Sequence, residues 1–195
     1  MKYSIIGSGN VGSALARRFA SSDIAVGIAN TRGPDSLTEL AAELGEKVIP
    51  MTLTDALQAD IIILAVPFLA HTAIAAAASN WAGKTVVDAM NTYGVQPEVL
   101  AGRASSEVVA AAFPGAHVVK SLNQLPAKLL AMPPAESGGR RVMFVAGNNT
   151  QASAAVVQLV ADLGFAPLMI GALSESGRLL EKGGPLVLQN LIKIV

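Results

Sequence analysis

Residues 3–15 read YSIIGSGNVGSAL, and the order of residue types in them decides the architecture. Residues 2–6 form a short apolar run that reads as a strand, and Val11, Ala14, Leu15 and Phe19 then fall on one stripe of a helix over residues 10–21. Between them Gly7, Gly9 and Gly12 spell G-x-G-x-x-G, with Ser8 inside the turn. A glycine string in that position, after a strand and opening a helix, is a phosphate-binding turn. Gly7 permits the tight turn, Gly9 lets the backbone approach an anion, and Gly12 lets the helix pack close to the sheet. The helix N-terminus leaves the N–H groups of Asn10 and Val11 facing that anion at the favourable end of the dipole.

Strand and helix keep alternating outward from this unit. Residues 24–29 read as a second strand, followed by a turn and a Ser36-x-x-Glu39 capping box that opens a helix ended by Gly45. Residues 47–51 form a third strand, Thr54 caps a single helical turn, and DIIILAVPF reads as a fully buried fourth strand. A helix over 71–80, a strand over 84–90, a helix at SSEVVAAAF, a strand at HVVKSLNQL, a loop with one short helical turn at most over PAKLLAMPPAESGGR, a strand at RVMFVAG and a helix capped by Thr150 complete the pattern. The expectation is α/β: a single Rossmann-like, doubly wound, mainly parallel sheet with extra C-terminal strands and helices. At 195 residues the chain is read as one domain, 1–195.

Composition narrows the partners. Fourteen basic residues balance fourteen acidic ones, so no overall field draws the chain to nucleic acid or to anionic lipid. A content of 52% hydrophobic and 14% charged residues suits an Ala/Val/Leu-rich core with a charge-poor surface. The lack of cysteine removes disulfides, thiolate nucleophiles and Cys-metal sites, and a reducing, cytoplasmic compartment is expected. The apolar run 61–78 has about the minimum length of a membrane helix, but Pro67, His71 and Thr72 interrupt it and no membrane span is expected. The closing residues 185–195, PLVLQNLIKIV, place Val187, Leu188, Leu191, Ile192 and Val195 at helical spacing. An apolar C-terminal helix on a charge-poor chain points to packing against a second subunit in a homodimer, or equally to packing on the chain's own sheet.

The end of the second strand selects the ligand. Dinucleotide-binding chains place an acid there to hold the adenosine ribose of NAD. This chain has Asn30, Thr31 and Arg32 instead. An acid would repel a 2′-phosphate, whereas an amide, a hydroxyl and a guanidinium can pair with one, so NADP(H) is expected over NAD(H). The other functional edge lies at the carboxyl ends of strands four and five. There Ala65, Val66 and Pro67, with Asn91 beyond, leave room for a flat ring. A proton-transfer catalyst is harder to find: His71, His117, Tyr93 and Lys120 sit in no recognisable constellation, and neither metal spacing nor a nucleophile–base pair reads out. No catalytic residue is therefore assigned. A flavin-like ring, which takes hydride and exchanges its nitrogen protons with water, would need none.

On the segments IIGSGNVGSALARR, ANTRGPDSL, ADIIILAVPF, VVDAMN, VVKSLNQL and ESGRLLEKGGPLVLQNLIK, the chain resembles the NADPH-dependent deazaflavin reductases over essentially its whole length. These enzymes pass hydride between NADP(H) and the 8-hydroxy-5-deazaflavin coenzyme F(420), and the same domain resembles the cytoplasmic reductase part of membrane ferric reductases. The resemblance implies that Asn30, Thr31 and Arg32 bind the 2′-phosphate and that Ser8, Asn10 and Val11 bind the pyrophosphate. It places Ala65, Val66, Pro67 and Asn91 by the nicotinamide, with Lys120, Leu122 and Asn123 facing the second ring. The implied acceptor is a small-molecule deazaflavin or flavin. Two other readings stay open: reduction of a small imine or keto substrate, and NADP(H) sensing without turnover.

Overall fold

Four consecutive apolar residues show how the sheet is built. Ile61 and Ile63 pack into the core on one face, and Ile62 and Leu64 into the core on the other. That is the two-residue period of a strand buried on both sides. The computed structural model describes residues 1–194. Its strands are β1 (Tyr3–Ile6), β2 (Val26–Ala29), β3 (Val48–Pro50), β4 (Ile61–Leu64), β5 (Thr85–Asp88), β6 (His117–Lys120), β7 (Ala135–Glu136), β8 (Gly139–Gly147), β9 (Ala166–Met169) and β10 (Ile192–Ile194). They join in the order β10-β8-β6-β5-β4-β1-β2-β3, with β7 and β9 also paired to β8. Strands β1 to β6 run parallel to their neighbours within that group. β8 runs antiparallel to β6 and β10, and parallel to β9.

The helices are α1 (Asn10–Ser21), α2 (Thr38–Leu44), α3 (Leu53–Ala56), α4 (His71–Ala76), α5 (Pro97–Leu100), α6 (Ser105–Ala112), α7 (Ala127–Ala131), α8 (Thr150–Asp162) and α9 (Leu173–Ser176). Leu15 and Phe19 of α1, Leu130 of α7 and Val156 and Leu159 of α8 cover one face. Ile74 of α4 and Val109 of α6 cover the other, with Phe113 beyond α6 and Trp81 edge-on to it at 4.6 Å. This is the mainly parallel, doubly wound α/β sheet expected. Its consequence for function is topological: β1 has β2 on one side and β4 on the other, so the chain reverses its winding there and leaves a crevice above the carboxyl ends of β1 and β4. The run 61–78 divides into β4 and α4, and no helix among the described residues is long and apolar enough to cross a membrane.

Several local expectations are corrected. The strand expected over HVVKSLNQL stops at Lys120, and Leu122 takes a positive φ of 63°. Beyond it Gln124 pairs with β8 through its side chain: Nε2 donates to Val142 O at 3.1 Å and Oε1 accepts from Phe144 N at 2.7 Å. One side-chain amide thus does what a further stretch of strand would have done. The C-terminal helix does not form. Val142 N donates to Leu191 O at 2.8 Å, Arg141 Nη1 to Asn190 Oδ1 at 2.7 Å, and β10 pairs along β8. The open edge of β8 captures a segment whose spacing also suits a helix, so the homodimer expectation loses the helix it rested on. Val195, the last residue of the expected stripe, lies outside the described residues. Caps shift as well: Thr52 rather than Thr54 caps α3, and Asn149 rather than Thr150 caps α8. Ser36 caps nothing, and β9 was not anticipated.

Candidate functional site

The turn between β1 and α1 is held by two glycines and left open by a third. Gly7 has a φ of 111°, and its N–H donates to Ala29 O at 2.8 Å. A Cβ on it would lie 2.3 Å from Ala65 O, so the turns after β1 and β4 meet backbone to backbone. A Cβ on Gly12 would lie 1.9 Å from Gly7 O, which is why α1 can start so close to the sheet. Gly9 has an ordinary φ of −76° and nothing within 4 Å of where its Cβ would be. Ser13 Oγ pins the loop by donating to Ser8 O at 3.0 Å. The N-terminus of α1 has no side-chain cap and no acid in its first turn, so its leading N–H groups, Asn10 and Val11 among them, are open to an outside anion. Room over Gly9, free donors and no competing acid fit a pyrophosphate.

At the end of β2, Asn30 ties the neighbouring loops together. Its Nδ2 donates to Ser8 Oγ at 2.8 Å and to Ser36 Oγ at 3.0 Å, and its Oδ1 accepts from Arg32 N at 2.8 Å. Ser36 Oγ in turn donates to Gly33 O at 2.7 Å. Ser36 was read from the sequence as a capping residue; its spacing to Asn30 was the available signal for this contact. Thr31 and Arg32 are exposed, and the Arg32 guanidinium has no ion pair or hydrogen bond among the described residues. A free guanidinium beside an amide-locked turn fits a 2′-phosphate.

These pieces border one cleft of about 490 Å³. Gly7, Ser8, Gly9, Asn30, Thr31, Arg32, Ala65, Val66 and Pro67 all line it. Leu53, Ala70, Ala73 and Ile74, which the sequence did not single out, supply an apolar wall. Asn10 faces an adjoining groove with Arg17 and Lys128, Val11 is half-buried, and Gly12 is buried beneath the turn. Arg18 links α1 to the end of α7, its Nη1 donating to Met132 O at 3.1 Å; burial lowers its pKa.

The residues expected to face a second ring lie under the surface. Lys120 and Leu122 are 1% and 0% exposed, and Asn123 is 4% exposed. The Lys120 ammonium donates to Met90 O and pairs with Asp88 Oδ2 at 3.2 Å. Asn91 Nδ2 donates to Asn123 O at 2.9 Å, and Asn123 Nδ2 donates to Asn91 Oδ1 at 3.0 Å and to Leu180 O. The loops after β5 and β6 are therefore clamped to each other behind Asn91. Lys120 and Asn123 support that edge from within. The other candidate proton carriers are equally committed or remote. His71 is buried, its Nδ1 against Phe68 O and its ring 4.9 Å from that of Phe68, while His117 opens β6 at the opposite end of the sheet. Tyr93 is exposed with the Lys182 ammonium 5.5 Å from its ring centre. Among the described residues no group of three or more His, Cys, Asp or Glu side chains is placed to hold a metal.

Comparison with known proteins agrees with this geometry. A structure of a hypothetical protein from Sinorhizobium meliloti is 45% identical, with 99% of this chain and 96% of that one covered at a TM-score of 0.94. A candidate F420-dependent NADP-reductase from Arthrobacter sp. FB24 is 29% identical, with 91% and 87% covered at a TM-score of 0.74. Among curated proteins the chain is similar to metalloreductase STEAP3 of Rattus norvegicus, 29% identical over 177 residues, 90% of this chain and 35% of that protein. The chain spans about a third of the length of the curated relatives it matches. Residues 2–92, which hold the glycine turn, the Asn30–Arg32 turn and the Ala65–Pro67 segment, match the model of a family described as NADP oxidoreductase, coenzyme F420-dependent.

Proposed function

We propose that this chain is an NADPH-dependent reductase that passes hydride from NADPH directly to the planar ring of a deazaflavin or flavin. The observation that carries the reading is the unpaired Arg32 guanidinium on the same cleft as the glycine turn. Bound there, NADPH supplies the hydride, and the acceptor ring takes its accompanying proton from water. The protein's share is positioning. The α1 N-terminus and the Gly9 backbone hold the pyrophosphate, Arg32 holds the 2′-phosphate, and the Ala65–Pro67 segment, kept narrow by small residues, lies along the nicotinamide. The commitment of His71 and Lys120 to internal partners supports a reaction that needs no enzyme acid. The family description and the name of the Arthrobacter relative support the choice of acceptor.

The test is NADPH oxidation with 8-hydroxy-5-deazaflavin and with riboflavin offered in parallel, and NADH as control donor. Turnover with NADPH on either ring is expected; tight NADPH binding with turnover on neither removes the acceptor assignment. Arg32→Ala should weaken NADPH binding by about 1.5 to 3 kcal/mol, the scale of a charge-assisted contact, with NADH nearly unchanged. Equal losses for both cofactors would refute the phosphate role of Arg32.

A further inference from the structure

We infer that Asn30 does not bind the 2′-phosphate but positions the groups that do, and that it also sets the direction of the Ser8 hydroxyl toward the pyrophosphate. The inference rests on the NADP(H) reading above. A side-chain amide has two N–H donors and one acceptor oxygen. Both donors of Asn30 are spent, on Ser8 Oγ at 2.8 Å and Ser36 Oγ at 3.0 Å. Its oxygen is spent on the Arg32 N–H at 2.8 Å. Flipping the amide would set its NH₂ against that N–H, so the assignment is fixed by the backbone. Nothing remains on Asn30 to donate to a phosphate.

Ser8 is set by the same amide. Its hydroxyl accepts from Asn30, which leaves its single hydrogen free to donate into the cleft that Ser8 lines. An aspartate at this position would have no hydrogens to give. The Ser8 and Ser36 hydroxyls would then donate to it, and the Ser8 hydrogen would leave the anion site. Residue type at position 30 thus acts twice: through the Arg32 turn, which only a 2′-phosphorylated cofactor feels, and through Ser8, which any dinucleotide feels.

A double-mutant cycle separates this from direct contact. Dissociation constants for NADPH and NADH are measured by cofactor fluorescence for the wild type, Asn30→Ala, Arg32→Ala and the double variant, with thermal melting as a folding control. Asn30→Ala is expected to weaken NADPH about tenfold and NADH about threefold, on the scale of lost hydrogen bonds. The double variant should then bind NADPH more weakly than Arg32→Ala only by the factor that Asn30→Ala alone shows with NADH. Losses for NADPH that multiply in full, with NADH untouched by Asn30→Ala, would overturn the inference and return Asn30 to a direct contact. A wild type without preference for NADPH, and an Arg32→Ala variant without selective loss, would overturn the cofactor reading instead. If Asn30→Ala does not fold, Ser8→Ala, which removes the hydroxyl that Asn30 directs, takes its place: NADPH and NADH should weaken by the same factor, and unchanged affinity for both would overturn the inference.

Discussion

Lys120→Ala is expected to destabilise the fold by about 3 to 5 kcal/mol, the cost of leaving one member of a buried ion pair without its partner. Asp88 is 0% exposed, and its Oδ1 accepts from Met90 N at 3.0 Å. Its Oδ2 has no hydrogen-bond donor and faces only the Lys120 ammonium, 3.2 Å away. Removing the ammonium strands that buried charge at the carboxyl ends of β5 and β6 and also frees the Met90 carbonyl. For a chain of this size the loss corresponds to a melting temperature lower by roughly 6 to 20 °C. Asp88→Asn combined with Lys120→Met removes both charges, and the cost should fall to about 1 to 3 kcal/mol, that of unpaired but neutral groups. Urea unfolding of the two variants decides the matter: a double variant no more stable than Lys120→Ala would refute the electrostatic account. Because Met90 immediately precedes Asn91, the single variant should also slow turnover in the fraction that remains folded.

The parts of the site that were legible in the sequence are those whose physical cause is local. Gly7, Gly9 and Gly12 report on one turn, and the alternation of residues 61–64 between the two cores reports on one strand, so spacing alone was enough. The loop at Asn30–Arg32 was legible in residue type but not in wiring. The choice of Asn over Asp pointed to a phosphate, yet the amide's partner Ser8 comes from a different strand end, and no spacing rule connects the two. Lys120 failed for the same reason at larger cost. It was expected at the acceptor, but Asp88 on the adjacent strand and the Met90 carbonyl draw it inward. The C-terminal segment shows the limit of periodicity itself. Leu188, Leu191 and Ile192 satisfy a helical stripe, and what decides otherwise is the vacant edge of β8, a feature made by residues some fifty positions earlier.

Gly12→Ala and Gly9→Ala should have opposite signatures, and together they separate building the turn from filling it. The alanine methyl at position 12 would meet Gly7 O at 1.9 Å and Gly7 C at 2.8 Å, both backbone atoms, with Ile5 Cγ2 behind them at 3.5 Å. Neither α1 nor the turn can yield by rotating a side chain, so the helix must lift from the sheet or the Gly7 peptide must turn. Overpacking of this kind costs about 1 to 3 kcal/mol, and a contact this short belongs at the upper end. Moving Gly7 also disturbs its bond to Ala29 O and its approach to Ala65, so both sides of the cleft shift together. NADPH and NADH should lose affinity alike, by tenfold or more, since displacing the turn by about 1 Å misaligns donors that both cofactors share. At position 9 the methyl meets nothing within 4 Å and the backbone is already in a region open to alanine. Stability should therefore hold within about 0.5 kcal/mol, as for a surface change away from packed features. The methyl nevertheless projects into the space over the α1 N-terminus, so affinity for both cofactors should fall while the melting temperature does not. Thermal melts read beside cofactor titrations check both variants. Unchanged affinity in a stable Gly9→Ala protein would mean that no pyrophosphate lies over that glycine, whatever Gly12→Ala does.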